Sequence, residues 1–344
     1  MKTGYRVMQV AAPGVLEPAE RPVPVPDAGQ VLIKVEACGI CGADIGDIER
    51  PGPGAPLPRV PGHEVVGRIA ALGEGAWPRW KLGQRVGVGR LGGHCTRCEQ
   101  CRAGRFQLCP NQPVTGADCD GGYAEMMLAR QTGLVAIPDE LESEEAAPIL
   151  CAGIAAFNAL KKSGAGPGDL VAVQGIGGLG HLAVQYARKM GFRVVAIGRG
   201  HDVAADALQL GAHVYLDVRH DDPVARLQDM GGAQAIVTTI RDSAAASAIA
   251  SGLAPSGTLV LLGIGSEPLV LSAGHLVRGE RRVQGSITGS PYDTEKALDF
   301  SMLTDTGPWT ETLPLARANE AYQRLKSGQA RYRMVLTMAK AHDD

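Results

Sequence analysis

The rhythm of hydrophobic positions changes near residue 150. Before it, apolar residues come in short β-branched runs broken by Gly and Pro. Residues 31–37, 65–70 and 83–88 read as strands, and 121–128 returns to a strand pattern after a polar excursion. The Pro- and Gly-rich stretch 50–58 reads as a stiff irregular loop. From about residue 153, apolar runs alternate with helical periodicity. Residues 170–174 form a buried-type strand, 179–190 a helix, 193–197 a strand and 203–210 a helix. Strands follow at 235–239 and 258–262, with an Ala-rich helix at 243–251 between them. Repeated βα units predict a parallel sheet covered by helices. The tail adds an amphipathic helix at 316–326 and a strand at 332–337. No internal repeat or low-complexity tract interrupts this pattern.

Composition narrows the class. At 344 residues the chain has room for about two domains. Its 34 basic and 36 acidic residues leave a net charge of −2, with no basic stripe. Aromatics make up only 4 %, which argues against a base-stacking platform, and no nucleic-acid partner is expected. No apolar run reaches membrane-spanning length, and the N-terminus lacks the apolar core of a signal peptide. The expected location is therefore cytoplasmic, with no membrane partner. Eight cysteines in that setting favour reduced thiols, metal binding or catalysis over disulfides.

Gly175-Ile-Gly-Gly-Leu-Gly180 matches G-x-G-x-x-G, directly after a predicted strand and at the start of a predicted helix. That context turns a weak pattern into a dinucleotide loop. Gly175, Gly177, Gly178 and Gly180 let the backbone approach a pyrophosphate, and the turn through Leu179 opens the helix. The second strand of such a unit usually ends in an acid that accepts from the ribose 2′-OH. Here the chain reads Ile197-Gly198-Arg199-Gly200. The acid is missing and a guanidinium stands beside the gap, which favours NADP(H) over NAD(H). The competing role for Arg199 is stacking on adenine.

Two sets of metal-type residues follow. Cys95, Cys98, Cys101 and Cys109 are spaced C-x2-C-x2-C-x7-C, as for a closed four-thiolate structural zinc. Cys41, His63 and Cys151 offer a Cys/His/Cys set with a fourth position open, but they lie too far apart for spacing to prove it. Taken alone, Cys151 reads as a small buried hydrophobe.

Together these motifs resemble the zinc-dependent alcohol dehydrogenases of the medium-chain dehydrogenase/reductase superfamily. The resemblance rests on Cys41, Gly62-His63-Glu64, the cysteine quartet, Gly121-Gly-Tyr-Ala, Cys151-Ala-Gly and the glycine loop, in that order, and spans essentially the whole chain. It implies an α/β protein with a GroES-like β-rich catalytic domain, residues 1–152 and 290–344, carrying a structural-zinc lobe at about 92–112. A Rossmann doubly wound parallel-sheet domain, 153–289, stands between, with the active-site cleft at their junction. The resemblance makes Cys41, His63 and Cys151 catalytic zinc ligands, for two zinc ions per chain. Asp44 would orient His63, Glu64 would lie behind the metal, and Arg333 would reach the cofactor pyrophosphate. Cys38 and Cys119 match no ligand position. Relatives form homodimers or homotetramers.

The chain departs from that family at the proton relay. Relatives carry Ser or Thr two residues after the ligand cysteine, and often His three further on. Here these positions are Ala43 and Gly46, which carry no proton. Asp47, Arg90 and Asp118 are the candidate replacements. Arg90 also stands where many relatives place a pocket tryptophan, either at the cleft rim or as a cation selecting polar substrates. The expected activity is hydride transfer between NADP(H) and an aldehyde or ketone and its alcohol. Reduction of an imine, iminium or activated C=C bond is the enzyme alternative. A catalytically silent NADP(H)-binding protein is the alternative from another class.

Overall fold

A computed structural model describes residues 4–52 and 57–338. Residues 53–56 of the expected 50–58 loop lie outside the described residues. The chain divides into two compact units: Met1–Cys151 with Gly289–Leu303 and Gly307–Asp344, and Ala152–Thr288 with Thr304–Thr306.

The first unit is built on strands. β1 (Gly4–Ala12) and β2 (Val15–Pro22) pair as an antiparallel hairpin. β3 (Gln30–Ile40), β4 (Glu64–Leu72), β5 (Arg85–Val88), β6 (Met126–Arg130) and β7 (Leu134–Ala136) enter one larger sheet. Val31, Ile33, Val35, Ile40, Val65 and Leu134 fill its core. Residues 121–125 correct the sequence expectation: only Met126 onward is regular strand. The earlier stretch is pinned to the turn before β4, with Gly121 N–H donating to the Val60 carbonyl and Gly122 N–H to Gly62. The pattern looks like a strand, but the Gly121, Gly122 and Tyr123 N–H groups are spent on the loop before β4, and only isolated bonds reach β1 and β3.

The second unit holds β8 (Leu170–Gln174), β9 (Arg193–Gly198), β10 (Val214–Asp217), β11 (Ala233–Thr238), β12 (Leu253–Leu261) and β13 (Arg282–Gly285). They form one parallel sheet in the order β10-β9-β8-β11-β12-β13. This is the doubly wound dinucleotide-binding order, whose direction reverses between β8 and β11. Every residue of β8 is buried, as expected for a strand with helices on both faces. The helix Gly180–Lys189 follows β8, burying Leu182, Ala183, Val184, Tyr186 and Ala187. Arg188 and Lys189 occupy its last turn, where cations suit the helix dipole.

The chain then returns to the first sheet. β14 (Thr310–Pro314) pairs in parallel with β15 (Arg333–Thr337), and β15 runs antiparallel to β3, with Met334 opposite Ile40 and Leu336 opposite Cys38. The last strand thus completes the sheet that carries β3 and β4, and brings Arg333 to the end of β3.

Candidate active site and metal centres

The quartet forms one compact knot. The sulfurs of Cys95, Cys98, Cys101 and Cys109 all lie within 4.8 Å of one another. A short helix, Glu99–Arg102, begins at Cys98, and the Cys101 N–H points at the Cys98 sulfur (3.5 Å). Cys95 N–H donates to Cys109 Sγ at 3.4 Å, and Asn111 Nδ2 to Cys95 Sγ at 3.4 Å. The Asn111 amide, then the backbone N–H groups of Arg97 and Cys98, hold the Cys95 thiol down at about 5. Cys98 and Cys109 sulfurs stand 3.8 Å apart, too far for a disulfide. A zinc–sulfur bond of about 2.3 Å gives a tetrahedral edge of roughly 3.8 Å. The knot therefore fits a closed zinc site.

The second cluster is assembled from three places in the first unit. Cys41 follows the end of β3 and is the N-cap of the helix Gly42–Glu49. His63 precedes β4, Glu64 is its first residue, and Cys151 lies in the π-helical turn Ile149–Gly153. Ligand atoms from Cys41, His63, Glu64 and Cys151 lie within 4.8 Å of one another. Cys41 and Cys151 sulfurs are 3.9 Å apart, again the edge expected around one zinc. His63 is buried, and its Nδ1 meets Asp44 Oδ1 at 2.7 Å. Its Nε2 is buried without a hydrogen-bond partner. A buried orphan nitrogen beside two thiols is what a metal would satisfy.

Asp44 does more than orient His63. Its Oδ2 accepts the Cys41 N–H at 2.8 Å and the Tyr123 hydroxyl at 3.1 Å, fixing the ligand loop at both ends. Burial pulls the His63 imidazole down, but the Asp44 charge outweighs it and lifts the group to about 10. Contact with Cys151 pushes Cys41 well below the ordinary thiol range, and contact with Cys41 pushes Cys151 well above it. Two thiols in contact release one proton readily and hold the second, until a cation takes its place.

Arg333 is buried and ion-paired to Glu64 Oε1. Burial raises the Glu64 carboxyl to about 7 against the pull of Arg333. Glu64 Oε2 is buried and unpartnered in the cluster. Glycine makes room for it: a Cβ on Gly39 would fall 1.9 Å from Glu64 Oε2.

The relay positions are as bare in space as in sequence. Gly46 faces open space, and Ala43 presents only a methyl group. Asp47 lies with Asp44 and His63, their ligand atoms within 4.8 Å, and is ion-paired to Arg90, whose Nη2 donates to Asp47 Oδ1 at 3.1 Å. Arg90 Nη1 is also 3.4 Å from His63 Nδ1. Asp118 instead holds a turn, its Oδ2 accepting the Val114 N–H at 2.9 Å, and joins neither cluster. Cys38 and Cys119 join neither as well.

In the second unit the glycine loop runs from β8 into the helix Gly180–Lys189. Gly175 adopts φ +92°, and a Cβ on Gly180 would lie 1.8 Å from the Gly175 carbonyl oxygen. Gly177 faces open space, which leaves room for a pyrophosphate at the helix start, past the half-buried Gly178 and Leu179. Thr239 locks the loop by donating Oγ1 to the Gln174 and Gly175 carbonyls at 3.1 and 2.9 Å. Gly198 ends β9, and Arg199 follows it, exposed. The sequence reading gave no role to Tyr123 or Thr239. Tyr123 lies inside the Gly121-Gly-Tyr-Ala motif, whereas only the fold brings Thr239 to the loop.

Comparison with known proteins agrees with this arrangement. Residues 27–139 match the family described as alcohol dehydrogenase GroES-like domain, and 178–302 match zinc-binding dehydrogenase. The chain is 42% identical over 315 residues to alcohol dehydrogenase patD of Penicillium expansum, covering 91% of this chain and 92% of that one. It is 39% identical over 325 residues to an alcohol dehydrogenase of Geobacillus stearothermophilus, covering 94% and 96%. Among solved structures, it resembles the Helicobacter pylori CAD complexed with NADP(H) (TM-score 0.86, 28% identity, 98% and 99% coverage). It also resembles acetophenone reductase from Geotrichum candidum in complex with NAD (TM-score 0.85, 27% identity, 98% and 98% coverage).

Proposed function

The chain belongs to the zinc-binding alcohol dehydrogenases of the medium-chain dehydrogenase/reductase superfamily, and from that premise we propose that it interconverts aldehydes or ketones and alcohols with NADP(H). The observation that carries the proposal is the buried, unpartnered His63 Nε2 beside the Cys41 and Cys151 sulfurs. Cys41, His63 and Cys151 would hold a zinc ion whose Lewis acidity would polarise the substrate oxygen, and a nicotinamide bound by the second unit would supply or accept the hydride. Asp44 keeps His63 in the tautomer that presents Nε2 to the metal. Tyr123 and the Cys41 N–H fix Asp44 in turn. Arg333 balances the charge of Glu64 inside the site. The quartet is the second zinc site, structural in role.

Carbonyl reduction adds hydride to carbon and a proton to oxygen. Ala43 and Gly46 cannot deliver that proton, so water, the substrate itself or the Asp47–Arg90 pair beside His63 supplies it. General acid–base help is worth about 10²–10⁴-fold, so alcohol chemistry should be slow rather than absent. The same bare positions favour a second reading, reduction of an imine or iminium carbon, because hydride alone completes an iminium reduction.

The missing acid after β9 and the exposed Arg199 support NADP(H), as does the NADP(H) complex of the Helicobacter relative. The Geotrichum relative holds NAD, so family membership does not decide the cofactor. Two further expectations belong here. The active site includes Cys41, His63, Cys151, Glu64 and Asp44, and the assembly is a homodimer or homotetramer. Supporting the latter, edge strand β13 is exposed throughout, and Ile264, Val270 and Val277 are exposed nearby in sequence. Among the described residues no helix is long and apolar enough to cross a membrane.

The deciding experiment measures kcat/KM with NADPH and NADH against matched carbonyl and imine panels. A preference for NADPH that Arg199→Asp reverses, with carbonyls turned over, is the expected result. A preference for NADH removes the cofactor assignment. Imine turnover without carbonyl turnover selects the second reading, and no turnover on either panel leaves a silent binding protein.

A further inference from the structure

A third group of metal-type side chains stands in the second unit, apart from both cysteine clusters. His201 follows the end of β9, Asp217 is the last residue of β10, and His220 lies in the turn after it. Their ligand atoms all lie within 4.8 Å of one another. The two imidazole rings stack with centroids 5.2 Å apart and planes 17° from parallel. Both histidines are exposed, whereas Asp217 is only 3% exposed.

The aspartate is held as a ligand would be. Its Oδ1 accepts the N–H groups of Gly200 and Arg219, each at 3.0 Å. Those bonds keep the carboxyl below its usual range and fix its orientation. Its Oδ2 is buried and has no hydrogen-bond partner. A buried carboxylate oxygen left bare is costly unless something fills it. The turn itself brings His220 to this carboxylate, with His220 N–H donating to the Asp217 backbone carbonyl at 2.9 Å.

We propose that His201, Asp217 and His220 form a third metal site, holding one divalent transition-metal ion through two imidazoles and one carboxylate. Two imidazole nitrogens in the donor set suit Zn²⁺, Co²⁺, Ni²⁺ or Cu²⁺ rather than Mg²⁺ or Ca²⁺, which take oxygen ligands. Metal–ligand bonds of about 2.0–2.2 Å require ligand atoms no more than roughly 4.4 Å apart. Rotation of two exposed imidazoles onto a fixed carboxylate closes that gap. Three protein ligands leave the remaining positions to water, so this ion is more labile than either thiolate-bound zinc. Neither proposed zinc centre nor the proposed reaction enters this inference.

Untagged full-length protein, loaded with its two thiolate-bound zinc ions, is titrated with Co²⁺ and read by equilibrium dialysis and visible absorption. The site predicts one added equivalent of Co²⁺ whose spectrum shows weak d–d bands and no sulfur-to-cobalt charge transfer. His201→Ala and His220→Ala each lose that equivalent at the Co²⁺ concentration that saturates the parent protein. Both keep two zinc ions and the parent's circular dichroism and melting profile, which report an intact fold. Asp217→Asn, which keeps an oxygen for the Gly200 and Arg219 N–H groups, also loses it. The proposal is overturned if no further equivalent binds. It is equally overturned if both histidine variants retain that equivalent, or if binding brings thiolate charge-transfer bands that mark exchange into the cysteine sites.

Discussion

Replacing Arg333 by Met tests the buried charge balance behind the metal cluster. Arg333 is 2% exposed and Glu64 is fully buried, and they pair directly. Removing the guanidinium leaves the buried Glu64 carboxyl without its ion-pair partner. Losing one partner of a buried pair costs about 3–5 kcal/mol. For a folding unit of this size, roughly 2–4 °C accompanies each kcal/mol, so the melting temperature should fall by roughly 6–20 °C. The assay is thermal and urea unfolding of zinc-loaded protein without cofactor, at fixed scan rate, so that cofactor linkage does not contribute. The double variant Glu64→Gln/Arg333→Met removes both charges. It should recover at least about half of the loss, because an apolar or neutral replacement of a whole pair is often nearly neutral. A cost below about 1 kcal/mol for Arg333→Met, or a double variant no better than the single, would refute this reasoning.

Other substitutions probe other parts of the account. Ala43→Thr restores a hydroxyl at the relay and should raise kcat/KM for alcohol oxidation, by less than the full ~10²–10⁴-fold because Gly46 still breaks the chain beyond it; an unchanged value shows that proton transfer does not limit the reaction. Burial, then Asp120 and Asp118, raises the Cys119 thiol to about 11. The thiol stays protonated in the folded protein while the unfolded chain ionises near its ordinary value, so its contribution is present below about pH 9 and lost as pH rises through 11. Cys119→Ala should flatten that part of the alkaline decline in urea unfolding, and an unchanged slope would remove the argument. Gly180→Ala puts a Cβ 1.8 Å from the Gly175 oxygen, so it should cost about 1–3 kcal/mol and weaken NADPH binding, measured by fluorescence titration. Wild-type affinity would show that the loop yields without harm to its ligand.

Where local pattern and fold agree, the sequence was readable. The run Leu170–Gln174 is apolar throughout because helices cover both faces of its strand, and the glycines follow because the helix Gly180–Lys189 must pack against that turn. The quartet was readable for a related reason, since one short segment carries all four sulfurs. The other cluster was not readable from spacing. Cys41 and Cys151 are 110 residues apart, and their 3.9 Å approach depends on the sheet and on the π-helical turn. Only the likeness to a family joined them beforehand. The strand pattern at 121–125 misled because alternation says nothing about where backbone bonds go, and here the first three N–H groups go to Val60, Gly62 and Pro61. The Asp47–Arg90 pair spans 43 residues, and neither member signals the other. Asp217 and His220 are three apart, a spacing that suits a shared ligand, but His201 comes from the neighbouring strand's end and only the parallel sheet brings it there.

The central claim is that metal at Cys41, His63 and Cys151 drives carbonyl reduction by NADPH. Its most direct test compares tightly bound zinc and NADPH-dependent carbonyl turnover in the parent protein and in Cys151→Ala. The parent should hold two zinc ions per chain after dialysis and turn over carbonyls, while the variant keeps the quartet's zinc alone and loses turnover. A Cys151→Ala protein that holds one zinc and still reduces carbonyls at the parent rate would contradict the account.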